Sequence, residues 1–322
     1  MTSVDPILKK IGLTGIVPVV AIDDANNAVP LARALMEGGI PCIEITFRTN
    51  AARDAMRQIS AGVPDMLMGA GTVLTVEQVA TAVDCGAKYI VSPGLNRKVV
   101  EYCLAHGIPV TPGVATPSDV EVAMELGLEV VKFFPAEAMG GLGYLNAIGA
   151  PYKAMKFIPT GGIDESLLLS YLKSPRVHAC GGSWMVKSDL IAAGKFDEIR
   201  TLSAKAVGTM LGLHIAHVGI NSGSAEEAAR LAGLTGGLLN VAFRETSAAV
   251  FAGTQVEFRK AASPGIHGHL AIGTHFIDRA IVYVERMGFK ILPDTMLEKN
   301  GKPHAVYLDM DLAGFAVHLI QA

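Results

Sequence analysis

Val130-Val131-Lys132-Phe133-Phe134-Pro135-Ala136 reads as a buried strand with one residue that does not belong there. Lysine almost never goes fully inside unless it is paired or used. Burial disfavours the ammonium form, and a neutral amine is the nucleophile that Schiff-base chemistry needs. The structural alternative is a lysine that snorkels to the strand end, and the strand alone does not separate the two.

Outward from Lys132, short β-rich runs alternate with Ala/Leu/Glu-rich helical segments between residues 15 and 184. The strand runs are 15–22, 41–49, 66–73, 89–95, 109–115, 130–136, 156–163 and 177–184, and stretches such as 28–36 and 77–85 read as amphipathic helices. Eight β-α units in about 200 residues is the arithmetic of a (β/α)8 TIM barrel, with an open doubly wound sheet as the alternative. The polar residues favour the barrel. Glu44, Arg48, Thr72, Pro93, Thr111, Lys132, Thr160 and Ser183 fall mostly in the second half of their runs, where barrel enzymes place their chemistry. Alternation puts Glu44, Thr46 and Arg48 on one face of the second strand, and Lys132 with Phe134 on one face of the sixth. If both faces point inward, Glu44 and Lys132 converge.

Composition sets the outer bounds. The chain has 322 residues, of which 50% are hydrophobic and 18% charged, which suits a large buried core and about two domains. A net charge of -3 argues against a nucleic-acid partner. With no uninterrupted apolar stretch of about 18 residues, no membrane span is expected. Asp5, Lys9 and Lys10 do not suit a signal peptide, and Cys42, Cys85, Cys103 and Cys180 lack metal spacing, so a cytoplasmic protein with reduced thiols is expected.

Glu44 is the one carboxylate in the middle of a predicted barrel strand and suits general acid–base work beside an amine; its alternative is a structural ion pair with Lys132 or Arg48. Arg48 has the fork geometry to hold a carboxylate, or is a surface arginine at a strand end. Gly161-Gly162 and Gly181-Gly182 end the seventh and eighth strand runs. Backbone N–H groups bind phosphate or carboxylate there in many barrels, although a lone glycine pair is common in tight turns.

Seven stretches, in order, carry a family resemblance: Glu44-Ile45-Thr46-Phe47-Arg48-Thr49, Gly69-Ala70-Gly71-Thr72-Val73, Ser92-Pro93-Gly94-Leu95, Thr111-Pro112-Gly113-Val114, Val131-Lys132-Phe133-Phe134-Pro135-Ala136-Glu137, Pro159-Thr160-Gly161-Gly162-Ile163 and Gly181-Gly182-Ser183-Trp184. Residues from about 8 to 205 resemble the 2-keto-3-deoxy-6-phosphogluconate aldolase family, which includes 4-hydroxy-2-oxoglutarate aldolases. The resemblance implies a class I, metal-independent aldolase with Lys132 as Schiff-base lysine and Glu44 as proton shuttle. Arg48 and Thr72 would hold the pyruvate carboxylate, and Gly161, Gly162, Gly182 and Ser183 would lie at the phosphate end. Pro93, Phe134 and Thr160 would line the pocket. It implies a homotrimer, no cofactor for the aldolase, and a small 2-oxo acid or sugar-acid phosphate as ligand. The aldehyde partner stays open between glyceraldehyde 3-phosphate, glyoxylate and a galactonate-derived phosphosugar.

After about residue 213 the texture changes, and seven of the nine histidines follow. Two units repeat: a strand at His217, helix 225–234 and strands 248–251 and 255–258; then a strand at His269, helix 276–287 and strands 304–310 and 315–320. Each is compatible with a βαβββ unit. The pattern resembles the vicinal-oxygen-chelate fold of glyoxalases and extradiol dioxygenases. That resemblance implies metal ligands at His217, Glu257, His269 and His318, the last standing where that fold usually has an acid. The domains expected are 1–210 and 213–322. For the second, a regulatory or assembly module with solvated or core histidines and a second, metal-dependent activity with a divalent metal both stand. His106 and His178 read as structural.

Overall fold

The computed structural model describes residues 5–322, so the first four residues of the first expected domain lie outside the described residues. The chain divides into two compact units that meet between Met210 and Leu211.

The first unit is built on β1 Ile16–Val20, β2 Cys42–Thr46, β3 Leu67–Gly71, β4 Ile90–Val91, β5 Val110–Thr111, β6 Gly113–Val114, β7 Val130–Phe133, β8 Lys156–Pro159 and β9 Cys180–Gly182. Pro112 has no N–H for a ladder and splits one stave into β5 and β6. The remaining pairings are all parallel, from β9 through β1, β2, β3 and β4 to β5, and from β6 through β7 to β8. Parallel bridges Phe157–Val177 and Thr160–Gly181 join β8 to β9 and close the ring. Among the described residues the barrel therefore has eight staves, as the run-counting expects, and parallel neighbours require the helical crossovers between them.

Every residue of β2 and β7 is buried, because barrel staves are covered on both faces. Helix Pro6–Thr14 begins at Asp5, whose carboxylate accepts hydrogen bonds from the Ile7 and Leu8 N–H groups. It presents Leu8 and Ile11 to Val17, Cys42, Tyr89, Val91, Val130 and Ala179. Most of these lie at or near the starts of staves, so the helix plugs that end and leaves the opposite end for chemistry.

The staves are shorter than their runs. Arg48, Thr72, Pro93 and Ser183, read as strand residues, lie just beyond β2, β3, β4 and β9. The apolar signal continues past the last ladder bond, so it overestimates strand length.

The second unit holds β10 His214–Asn221, β11 Phe243–Glu245, β12 Ala249–Ala252, β13 Val256–Arg259, β14 Gly268–Thr274, β15 Leu297–Lys299, β16 Lys302–Leu312 and β17 Phe315–Gln321. Helices Ala225–Leu239 and Ile277–Arg286 follow β10 and β14. The sheet order is β11-β12-β13-β10-β14-β17-β16-β15, so each half repeats the other about the antiparallel β10–β14 seam. The first and last strands of each half pair in parallel beside that seam. The first helix packs Ala228 and Ala232 on Val250, Ala252 and Phe258.

β11 and β15 escaped the sequence reading, because all three residues of each are exposed and no apolar alternation marks them. The first helix also runs five residues past its expected end, to an Asn240 cap in the left-handed conformation. Among the described residues no helix is long and apolar enough to cross a membrane.

Phe157 is fully buried on β8. Phe157→Ala is expected to cost about 3–5 kcal/mol. Urea unfolding followed by a barrel-specific probe should show it; a loss below about 1 kcal/mol would mean that this layer collapses around the gap.

Candidate functional sites

Lys132 and Glu44 come from β7 and β2, 88 residues apart in sequence, and meet inside the barrel. Nζ lies 3.4 Å from Glu44 Oε1, with side-chain exposures of only 5% and 4%. Nζ also sits 5.4 Å from the centroid of the Phe134 ring, the neighbour that alternation puts on the same face. Beneath the pair is a small cavity whose walls include Ile11, Val17, Tyr89 and Ile158, so the pair stands on an apolar floor. Such a pair in such a place can hold and pass protons beside a nucleophilic amine.

At the end of β3 the chain turns sharply. Thr72 has a φ of 55°, an uncommon and strained conformation for a β-branched residue. There its Oγ1 accepts a hydrogen bond from Arg48 Nε at 3.1 Å. The turn therefore anchors an exposed guanidinium at the open end of the barrel.

Across the mouth, Gly161 and Gly162 have φ values of 100° and 83°, which L side chains rarely adopt. A Cβ on Gly181 would overlap Thr160 Oγ1, and one on Gly182 would overlap the Trp184 ring. Thr160 is buried and bridges to Gly181, Ser183 is exposed beyond β9, and the Pro93 carbonyl packs on Gly113. Sequence reasoning missed Glu137 and Tyr171. The Tyr171 hydroxyl donates to the Glu137 carboxylate beside Gly162, and burial followed by that bond pushes the phenol's pKa up. Glu137 lay within a quoted motif, but nothing in the sequence paired it with Tyr171.

In the second unit the four proposed ligands stand on β10, β13, β14 and β17. His217 Nε2 and His269 Nε2 are 3.2 Å apart, and Glu257 Oε2 lies 3.4 and 3.0 Å from them. One nitrogen of His318 joins them, the three histidine donor atoms lying within 4.8 Å of one another. Arg259 Nη1 donates to Glu257 Oε1 at 3.0 Å, leaving Oε2 for the histidines. Burial alone would raise the Glu257 pKa; hydrogen bonds from His217, His269 and Arg259 outweigh it and hold the carboxyl well below the usual range. Burial, then the nearby His269, lowers His318 to about 4, so it is neutral and keeps a free lone pair above that pH. The His269 Nδ1 atom is buried without a hydrogen-bond partner. Three imidazoles this close, two of them against a carboxylate, are a donor set that suits a divalent transition metal. His106 and His178, read as structural, each meet a backbone carbonyl, of Tyr102 and Leu8.

A closed parallel barrel with a buried lysine against a carboxylate suits Schiff-base chemistry, and the chain is a carbon–carbon lyase, as its aldolase relatives indicate. Residues 5–202 match the family described as KDPG and KHG aldolase, and the chain belongs to that family. It is 50% identical over 192 residues to the 2-dehydro-3-deoxy-phosphogluconate aldolase of Treponema pallidum (strain Nichols), covering 60% of this chain and 91% of that protein. It is 42% identical over 192 residues to the KHG/KDPG aldolase of Escherichia coli (strain K12), covering 60% and 90%. Among solved structures, the KDPG aldolase of Legionella pneumophila, with pyruvate captured as a covalent carbinolamine, superposes with a TM-score of 0.60 at 36% identity, over 62% of this chain and 97% of that one.

The turn at Thr72 makes a testable trade. Thr72→Gly should relieve about 1–3 kcal/mol of backbone strain against about 1 kcal/mol of added chain entropy. The expected result is an unfolding midpoint no lower than wild type with a KM for the 2-oxo acid raised about tenfold, the worth of one hydrogen bond to Arg48. A lowered midpoint would show that no strain is stored there.

Proposed function

We propose that the barrel cleaves 2-dehydro-3-deoxy-6-phosphogluconate to pyruvate and glyceraldehyde 3-phosphate through an iminium on Lys132. The observation that carries this is the buried Lys132–Glu44 pair at the working end of the barrel. The names of the relatives support the same substrate.

The Lys132 amine adds to the C2 carbonyl, losing a proton as it does so. Glu44 passes a proton to the carbinolamine oxygen, which leaves as water and gives the iminium. The Glu44 carboxylate takes the C4 hydroxyl proton and later returns it to C3, while the C3–C4 bond breaks and its electrons flow into the iminium to form an enamine. Glyceraldehyde 3-phosphate departs. Protonation of C3 and addition of water then release pyruvate and the amine. In this reading Arg48 and Thr72 hold the C1 carboxylate, and Gly161, Gly162, Gly182 and Ser183 receive the phosphate. Pro93, Phe134 and Thr160 line the channel between. Cleavage of 4-hydroxy-2-oxoglutarate or 2-dehydro-3-deoxy-6-phosphogalactonate needs the same pyruvate half and differs at the aldehyde end.

We assign the aldolase to residues 1–210 as a homotrimer of the cytoplasm. We further infer that residues 213–322 form a vicinal-oxygen-chelate-like module. His217, Glu257, His269 and His318 would hold a divalent metal, which when bound acts as a Lewis acid on an oxygen ligand. The convergence of the three histidines, with Glu257 against two of them, favours this over a purely regulatory or assembly role.

Borohydride added with pyruvate should label Lys132, and Lys132→Ala should lose both the label and nearly all activity. Labelling that persists on another lysine would overturn the assignment. A strong chelator should leave aldol cleavage intact, since the iminium is the electron sink; abolished cleavage would refute the class I mechanism.

Elemental analysis of the full-length protein should find about one equivalent of divalent metal per chain, the occupancy of a structural-strength site. The His217→Ala/His269→Ala variant should lose it. Equal metal in both proteins, or none in either, would leave the assembly reading.

A further inference from the structure

We propose that Gly71 is a positioning residue for the aldol chemistry: its missing side chain is the space in which the Glu44 carboxylate stands. The proposal rests on the reading that Glu44 moves protons for Lys132.

β2 and β3 run in parallel, with Glu44 beside Gly69 and Thr46 beside Gly71. Gly69 and Gly71 share one face of β3, and each clears room for a different neighbour. A Cβ on Gly69 would fall within the Tyr89 ring, which fills the layer below and donates from its hydroxyl to the Ile43 carbonyl. A Cβ on Gly71 would overlap Glu44 Oε1 and come within 2.7 Å of both Cδ and Cγ. Real Cβ atoms do not approach side chains so closely, so the Glu44 side chain would have to move along its whole length.

Two features make this a matter of position rather than of folding. First, Gly71 lies in a regular strand, outside the left-handed region that demands glycine. Its backbone accepts alanine, and the three atoms nearest to an added Cβ all belong to Glu44. Second, Glu44 is only 3% exposed and cannot swing into solvent. Its contact with Lys132 is already 3.4 Å, and an ångström of displacement breaks it. Misplacement on that scale can cost about 10²-fold in rate. Gly69, by contrast, serves packing, since Tyr89 belongs to the apolar core.

The test is a cycle in the full-length protein with wild type, Gly71→Ala, Glu44→Ala and the double variant. Each is read by kcat and KM for aldol cleavage, borohydride capture of pyruvate and thermal unfolding. Gly71→Ala should lower kcat about 10²-fold, the range for a misplaced acid–base group. KM should change little, and pyruvate should still be trapped on Lys132. In the Glu44→Ala background the same substitution should cost less than about threefold, because the group it displaces is gone. An equal loss in both backgrounds, or no loss in the wild-type background, would overturn the proposal while leaving the role of Glu44 standing. Glu44→Ala with near-normal kcat would overturn both. If Gly71→Ala alone fails to fold, the double variant must fold, since the overlap is removed; a double variant that also fails to fold would overturn the proposal.

Discussion

The contact between Lys132 and Glu44 sets the terms for the rest of the barrel. Two ionisable groups taken out of water carry a desolvation cost that their attraction offsets only when geometry is good. They therefore contribute little to stability, and what surrounds them serves to keep them in register. The plug of Leu8 and Ile11 excludes water from below. Tyr89 fills the layer above that plug and reaches across to Ile43. Gly69 admits the ring, and Gly71 admits the carboxylate. The strained turn at Thr72 then anchors Arg48 beyond them, at the open end of the barrel.

The second unit solves a similar problem by symmetry. Its repeated halves bring four strands side by side, each with one ligand-type side chain on the same face. Gly219 has a part there like that of Gly71, since a Cβ at that position would overlap the His269 ring. Arg259 engages one oxygen of Glu257 and leaves the other to the histidines.

Much of the architecture was legible in residue patterns, for reasons that differ between elements. β2 and β7 are buried on both faces, so their apolar runs are dense and the single charged residue in each stands out. β11 and β15 are exposed edge strands of three residues and carry no such signal. The stave ends were misread because ladder bonds stop before hydrophobicity does, which moved Arg48, Thr72, Pro93 and Ser183 into the loops. That shift does not remove them from the mouth of the barrel, since loops after the staves lie at the same end. The pairing of Tyr171 with Glu137 had no local signature at all.

The chain's residue patterns alone determined eight staves, three of the four strands in each repeated half of the second unit, and the sidedness that puts Lys132 with Phe134. Those are consequences of backbone geometry, which repeats every two residues in a strand whatever the partner. The same patterns also supplied the list of reactive side chains. Only the tertiary structure decided which of them meet, because closing the parallel ring sets the stagger between staves 88 residues apart. It alone decided that Gly71 faces Glu44 while Gly69 faces Tyr89, since an empty side chain has meaning only through the neighbour that occupies its space.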